Sequence, residues 1–163
     1  MASFATICYV FRRDKILLLL KSKGLFGGGK WNGPGGKLVH GEPPEAGAIR
    51  EVFEETGLRL KALHFHGILN FHLGEPRKLD QVVFVFSSRS VKGRLRQSVE
   101  GRLDWFDKDR IPYDQMWEDD SIWLPLLLEG RDFVGDFYFS EGYEKLGSYN
   151  LEELKGNDSD KLE

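Results

Sequence analysis

The sequence predicts one α/β domain, and three observations predict it. A chain of 163 residues is long enough to bury one sizeable core and too short for two ordinary ones. Runs of β-branched, aromatic and aliphatic residues alternate with stretches of helical period. A glycine-rich segment separates the first extended pair from the first helical stretch, which suggests a loop whose backbone comes close to something. With 12 Phe and 4 Trp there is ample apolar area to bury, so disorder is expected only at the ends.

FATICYVFR (4–12) and KILLLLK (15–21) read as strands of an opening hairpin, with RRDK as the turn. KGLFGGGKWNGPGGKL (23–38) holds seven glycines and a proline, which forbids regular helix. From residue 44 the period is helical: prolines at the start, Ala46, Ile49, Val52 and Phe53 on one face, and Gly57 as the stop, giving a helix over 44–56. LKALHFHGILNFHL (60–73) and LDQVVFVFSS (79–88) are extended, with GEPRK as the loop between them, and GRLDWF (101–106) is a further short strand. DDSIWLPLLLEG (119–130) predicts a second helix kinked at Pro125, and RDFVGDFYF (131–139) the final strand. The domain is therefore expected over 1–155, with GNDSDKLE (156–163) a disordered tail.

Charge and cysteine usage narrow the function classes. Lys and Arg number 23 against 26 Asp and Glu, so the net charge of −3 gives no general attraction to nucleic acid or a membrane surface. A phosphate-bearing ligand would have to be neutralised locally, by a site or a metal. The longest early apolar run, ILLLL (16–20), is far too short to span a bilayer and no signal-type segment is seen. Cys8 is the only cysteine and is expected to be a small buried hydrophobe. A soluble cytoplasmic protein is expected, with a monomer slightly favoured.

IREVFEETGL (49–58) carries the chemistry. At 100° per residue Glu51, Glu54 and Glu55 share the helix face opposite the apolar one, close enough to repel unless something positive lies between them. In water this costs only a few tenths of a kcal/mol per pair, so a solvated face is the ordinary reading and a metal site the alternative. Mg²⁺ takes oxygen ligands, commonly carboxylates together with substrate phosphates, and three glutamates below a glycine-rich loop supply that geometry.

The segment GKLVHGEPPEAGAIREVFEETGL (36–58) resembles the signature of the Nudix hydrolase family: Gly36, Glu42, Arg50, Glu51, Val52, Glu54, Glu55, Gly57 and Leu58 meet every fixed position. A chance match in a chain of this length is on the order of 10⁻⁷ or less. The resemblance implies an α/β/α sandwich around a mixed β-sheet and hydrolysis of a nucleoside diphosphate linked to another moiety. It implies Mg²⁺, with Mn²⁺ as a substitute, held by Glu51, Glu54, Glu55 and the Gly36 carbonyl. Glu100 corresponds to an additional carboxylate of some members, with an exposed loop glutamate as the other reading. Glu54 is the first candidate to orient or deprotonate the attacking water, and Glu42 and Arg50 form a structural ion pair.

Outside that signature, FGGGKWNGPGGK and MWEDDSIWLPLLLEG resemble the oxidised purine nucleoside triphosphatase group, which hydrolyses 8-oxo-dGTP, and the resemblance covers roughly residues 3–139. It implies a base pocket of Asn32, Trp117, Asp119 and Asp120, with Phe26 and Phe71 as walls. Thr6, Lys21 or Lys23, Gly35, Gly36 and Lys37 would touch sugar and phosphates. A one-residue deletion near GILNFHLGEP leaves Asn70 or His72 as alternatives to Phe71. Asp119 and Asp120 are also favoured helix N-caps, the ordinary reading of EDDS. For Trp31, Trp105 and Trp123 core packing is expected, and His40, His64, His66 and His72 show no metal-ligand spacing.

The implied activity is Mg²⁺-dependent conversion of oxidised purine (d)NTPs, such as 8-oxo-dGTP or 2-hydroxy-dATP, to monophosphate and pyrophosphate, which sanitises the nucleotide pool and avoids DNA damage. Two alternatives stand beside it. One keeps the enzyme class and changes the substrate to an undamaged nucleotide, a dinucleoside polyphosphate or an RNA 5′ end. The other is a nucleotide-binding module without catalysis, against which the intact glutamates speak.

Overall fold

In the computed structural model, residues 1–97 and 101–155 are described. The early apolar runs form the middle of the sheet. Strand β1 (Ser3–Arg12) sends Ile7, Tyr9 and Phe11 into one core and Cys8 and Val10 into another. Strand β2 (Lys15–Lys21) divides likewise, Ile16 and Leu18 against Leu17 and Leu19. Strands buried on both faces read as continuous apolar runs.

The expected hairpin exists only at its turn. Phe11 pairs with Ile16 and Arg12 with Lys15, and there the pairing ends. From there β1 has a parallel partner in β6 (Lys78–Lys92) and an antiparallel one in the short β4 (Gly35–Lys37), whereas β2 pairs with β3 (Trp31–Asn32) and β7 (Gly101–Asp107). The glycine-rich segment thus contains two short strands, one on each arm. Strand β5 (Arg59–Leu73) lies antiparallel to β6 and parallel to β8 (Asp132–Phe139), so the sheet is mixed.

Residues 131–139 are not the final strand. After β8 the chain makes a 3₁₀ turn at Glu141–Tyr143 and returns as β9 (Leu146–Leu154), antiparallel to β8 at the sheet edge. LGSYNLEEL has no alternation because the strand is mostly exposed, and backbone pairing with β8 holds it. Leu146 and Leu151 pack on the core, and Tyr149 stacks on Phe137 with ring centroids 5.7 Å apart.

Two helices cover opposite faces. Helix α1 (Pro44–Thr56) closes the core that holds Ala48, Val52, Leu58 and Phe86, and α2 (Asp120–Leu128) supplies Trp123, Leu124 and Leu127 to the other. Pro44 in the first turn and Gly57 in the left-handed conformation bound α1. Its orientation corrects the expected one. Gly47, Ala48, Val52, Glu55 and Thr56 are buried, Ala46 is exposed and Ile49 is 39% exposed. The helix is rotated so that the flank carrying Glu51 and Glu55 turns inward, a burial that hydrophobic periodicity cannot foresee.

Candidate active site

The inward acidic flank of α1 meets β4. Glu55, 3% exposed, accepts the Gly35 N–H through Oε1 at 2.6 Å. Gly35 and Gly36 pair with Ile7 and Thr6 of β1, and neither has room for a side chain. A Cβ on Gly35 would overlap the Thr6 carbonyl oxygen, and one on Gly36 would lie 2.6 Å from the Glu51 carboxyl carbon. Two glycines in succession therefore let two carboxylates lie against the strand backbone.

Arg50 sets the order among the acids. Its Nε and Nη2 donate to the two Glu42 oxygens at 2.8 and 2.9 Å, and Nη2 also donates to the Lys37 carbonyl at 3.1 Å. Its Nη1 donates to Glu51 at 2.8 Å and to Glu54 at 3.2 Å. Hydrogen bonds from Arg50 hold the Glu42 carboxyl below its usual range, and those to Glu42 first, then Glu51 and Glu54, keep the guanidinium charged. The pair ties the loop before α1 to the helix.

Glu51, Glu54 and Glu55 offer hard oxygen donors beside the Cβ-free surface of Gly36, a donor set that fits a divalent cation. They are not gathered round one point. Glu54, with 54% of its side chain exposed, is turned to Arg50 and would swing to join the other two. Glu100 lies outside the described residues.

A cavity of about 290 Å³ opens from this face into the space between the two arms of the sheet. Thr6 and Ile7 of β1, Leu19 and Lys21 of β2, Asn32 of β3, and Gly35, Gly36 and Lys37 of β4 contribute walls, with Glu55 joining it to the glutamates. Phe26, Phe71, Trp117, Asp119 and Asp120 line it as well. Lys23 does not, and it is exposed. On β5 the choice falls to Phe71: Asn70 and His72 are absent from the walls, and of the four pairing irregularities with β6 the last comes just after Phe71. His72 instead meets Asp136 at 2.9 Å.

Polar groups in this cavity have fixed orientations. Asn32 Oδ1 accepts the Tyr9 hydroxyl at 3.1 Å and the Gly33 N–H at 2.9 Å, so its acceptor is spent and its amide N–H groups are left to the cavity. Asp119 makes no cap; its Oδ2 accepts Trp123 Nε1–H at 2.7 Å. Asp120 Oδ2 accepts the Trp117 N–H at 3.1 Å. Burial raises both acids, Asp119 to about 6, and the Asp119 charge raises Asp120 further, so the pair resists carrying two charges. Thr6 Oγ1 is the one buried side-chain polar atom among the described residues with no hydrogen-bond partner. Such an atom on a cavity wall points to a ligand.

Several residues of the site carry no functional signal in a single sequence. Tyr143, from the turn after β8, packs 5.5 Å from Phe26 and 5.7 Å from Trp117, and its hydroxyl donates to Asp80 at 2.6 Å. With Phe26, 59% exposed, these rings form an aromatic rim. Tyr9 reads as a core residue yet orients Asn32, and Trp123 is both core and the partner of Asp119. Trp31 is buried against Phe106, Trp105 packs partly buried on the α1-side core, and burial pushes the Cys8 thiol up to about 12. The histidines show no metal-ligand spacing in the sequence, yet His64 and His66 come together with Asp132 in space.

Residues 1–127 match the family described as the NUDIX domain. The chain is 42% identical over 150 residues to the oxidized purine nucleoside triphosphate hydrolase of Mus musculus, covering 91% of this chain and 94% of that protein. It is 40% identical over 151 residues to the Danio rerio protein of the same name, covering 92% of this chain and 94% of that protein. Among solved structures, the mutator MutT protein from Bacillus halodurans superposes with a TM-score of 0.83 at 30% identity, covering 92% of this chain and 97% of that one.

The two glycines of β4 are expected to separate fold from activity. Gly36→Ala displaces only the end of a flexible side chain, so it lowers stability by under about 1 kcal/mol while cutting turnover by about 100-fold. Gly35→Ala strikes backbone and lowers Tm by about 10 °C; melting curves and rates measured on both variants check this. The buried acids give a pH signature. Because the folded state raises Asp119, its ionisation weakens the fold as pH climbs from about 4 to about 6, and the penalty persists above. Asp119→Asn, which can still accept the Trp123 N–H, should raise Tm by several degrees at pH 8 and by nothing near pH 4. A pH-independent difference in calorimetry would contradict that assignment.

Proposed function

This chain belongs to the Nudix hydrolase family, and from that premise we propose that it hydrolyses oxidised purine nucleoside triphosphates to the monophosphate and pyrophosphate. One observation carries the substrate: a cavity that joins the glutamate face presents a donor at Asn32 and two acids, Asp119 and Asp120, whose carboxyls burial shifts upward. An oxidised purine offers N–H donors and carbonyl acceptors along one edge, and this pattern answers both kinds. The mouse and zebrafish relatives carry the same activity in their names.

Trp117, Phe26 and Phe71 hold the base faces, with Tyr143 completing the rim. The unpartnered Thr6 hydroxyl meets the sugar, and Lys21 and Lys37 meet the phosphates. Nudix hydrolases use a divalent metal; we assign Mg²⁺, with Mn²⁺ able to replace it, to Glu51, Glu54, Glu55 and the Gly36 carbonyl. When bound, that cation neutralises phosphate oxygens. Glu54, exposed and contacting Arg50, orients the attacking water and takes its proton as the phosphorus–oxygen bond forms and the anhydride oxygen leaves. Glu42 and Arg50 position this helix end without touching substrate. Among the described residues no helix is long and apolar enough to cross a membrane, in keeping with work on small nucleotides in the cytoplasm.

Pyrophosphate release measured in parallel from 8-oxo-dGTP, 2-hydroxy-dATP, dGTP and dATP tests the reading. An oxidised purine should lead by at least about tenfold in kcat/KM, and Glu54→Gln should lose about 10²–10⁴ in kcat. Equal rates on oxidised and ordinary purines would sink the substrate assignment while leaving the hydrolase; no turnover of any nucleotide would sink both.

A further inference from the structure

Three potential ligands meet away from the cavity, none of them part of its walls. His64 Nε2 lies 2.6 Å from Asp132 Oδ1, and His66 Nδ1 lies 3.4 Å from the same oxygen. One ligand atom from each residue falls within 4.8 Å of the other two. The convergence is built by the backbone. Residues two apart on a strand share a face, which sets His64 beside His66 on β5, with ring centroids 4.5 Å apart.

Asp132 arrives because β8 runs parallel to β5, with Phe133 opposite Gly67. Gly67 has φ +150°, and a Cβ there would overlap the Phe133 carbonyl oxygen, so only glycine lets the two strands approach this closely beside His66.

The ring of His66 is also held from behind. Its Nε2 lies 2.7 Å from Ser87 Oγ while Nδ1 faces Asp132 and the Arg131 carbonyl, which is 2.8 Å away. A ligating imidazole commonly donates its second N–H to an oxygen that fixes tautomer and orientation, and Ser87 stands where that partner belongs. In the protein alone, Nδ1–H donates to Arg131 and Nε2 accepts from Ser87. With a cation on Nδ1 the ring stays neutral, its one proton moves to Nε2, and Ser87 becomes the acceptor.

We propose that His64, His66 and Asp132 form a binding site for a borderline transition-metal dication such as Zn²⁺, separate from the glutamate face. Two imidazoles and a carboxylate suit Zn²⁺ and Co²⁺, whereas Mg²⁺ prefers an all-oxygen shell. His64, with 55% of its side chain exposed, leaves the fourth position open to water. The ion clips β5 to β8, the strands that carry Leu69 and Phe71 of the cavity wall and lead into the turn of Tyr143. Without it the same residues form a hydrogen-bonded His–Asp group.

Co²⁺ is the probe, added to the full chain in millimolar Mg²⁺ so that the glutamates stay occupied. The expected result is one Co²⁺ per chain with the strong visible bands of a four-coordinate ion, displaced by Zn²⁺, and a Tm that rises with Zn²⁺. His64→Ala, at an exposed position that the fold does not need, and Asp132→Asn should each weaken binding at least tenfold, while Glu54→Gln should leave the bands unchanged. Absence of the bands, or bands that survive His64→Ala, overturns the proposal. Loss of the bands in Glu54→Gln also overturns it, by assigning the ion to the glutamates.

Discussion

Glu55 is a carboxylate buried at the seam between helix and sheet, where its Oε1 meets the Gly35 N–H at 2.6 Å. Removing a charge from water costs several kcal/mol unless hydrogen bonds replace its hydration, so this contact constrains everything near it. The helix must present its acidic flank inward, the strand facing it must be glycine, and the strand must lie close to β1. Each condition is met by different residues: the rotation of α1, Gly35 and Gly36, and the ladder with Ile7 and Thr6. The same arrangement leaves the cavity open beside the carboxylates, because β1 is paired to β4 where it might have continued along β2.

Two kinds of electrostatics follow, and they differ in exposure. Around Arg50 the charges are numerous and partly covered, with only Glu54 mostly exposed, so they order side chains while contributing modestly to stability. Around Asp119 the groups are buried and few, and burial shifts both acids upward. The first region suits polyphosphate chemistry that needs a movable carboxylate such as Glu54. The second suits reading a base edge, where Tyr9, Gly33, Trp117 and Trp123 hold each polar atom in place.

Much of this was legible in the sequence because it is local. The bounds of α1 follow from Pro44 and Gly57, the acidic face from spacing, and the strands of the sheet centre from apolar runs. What was not legible depends on partners distant in the chain. The expected apolar face containing Ile49 lost to the hydrogen bond between Glu55 and Gly35, which no periodicity encodes. Strand β9 is held by backbone pairing on a mostly exposed edge, and Tyr143 reaches the rim only because β8 and β9 turn there. The rest of β5, all of β6 and β7, and α2 separate the two histidines from Asp132 in the chain, so their meeting is a property of the β5–β8 register.

The carboxylate face of α1 and the base cavity form one continuous site. Nuclear magnetic resonance of the full ¹⁵N-labelled chain, with the product nucleotide 8-oxo-dGMP and substoichiometric Mn²⁺, addresses it directly. With one continuous site, Mn²⁺ broadens the amide signals of Gly35, Gly36 and Glu51 first, while the nucleotide shifts the Trp123 indole N–H that Asp119 holds. Broadening centred on other strands, or a nucleotide that leaves the Trp123 indole unmoved, would contradict it.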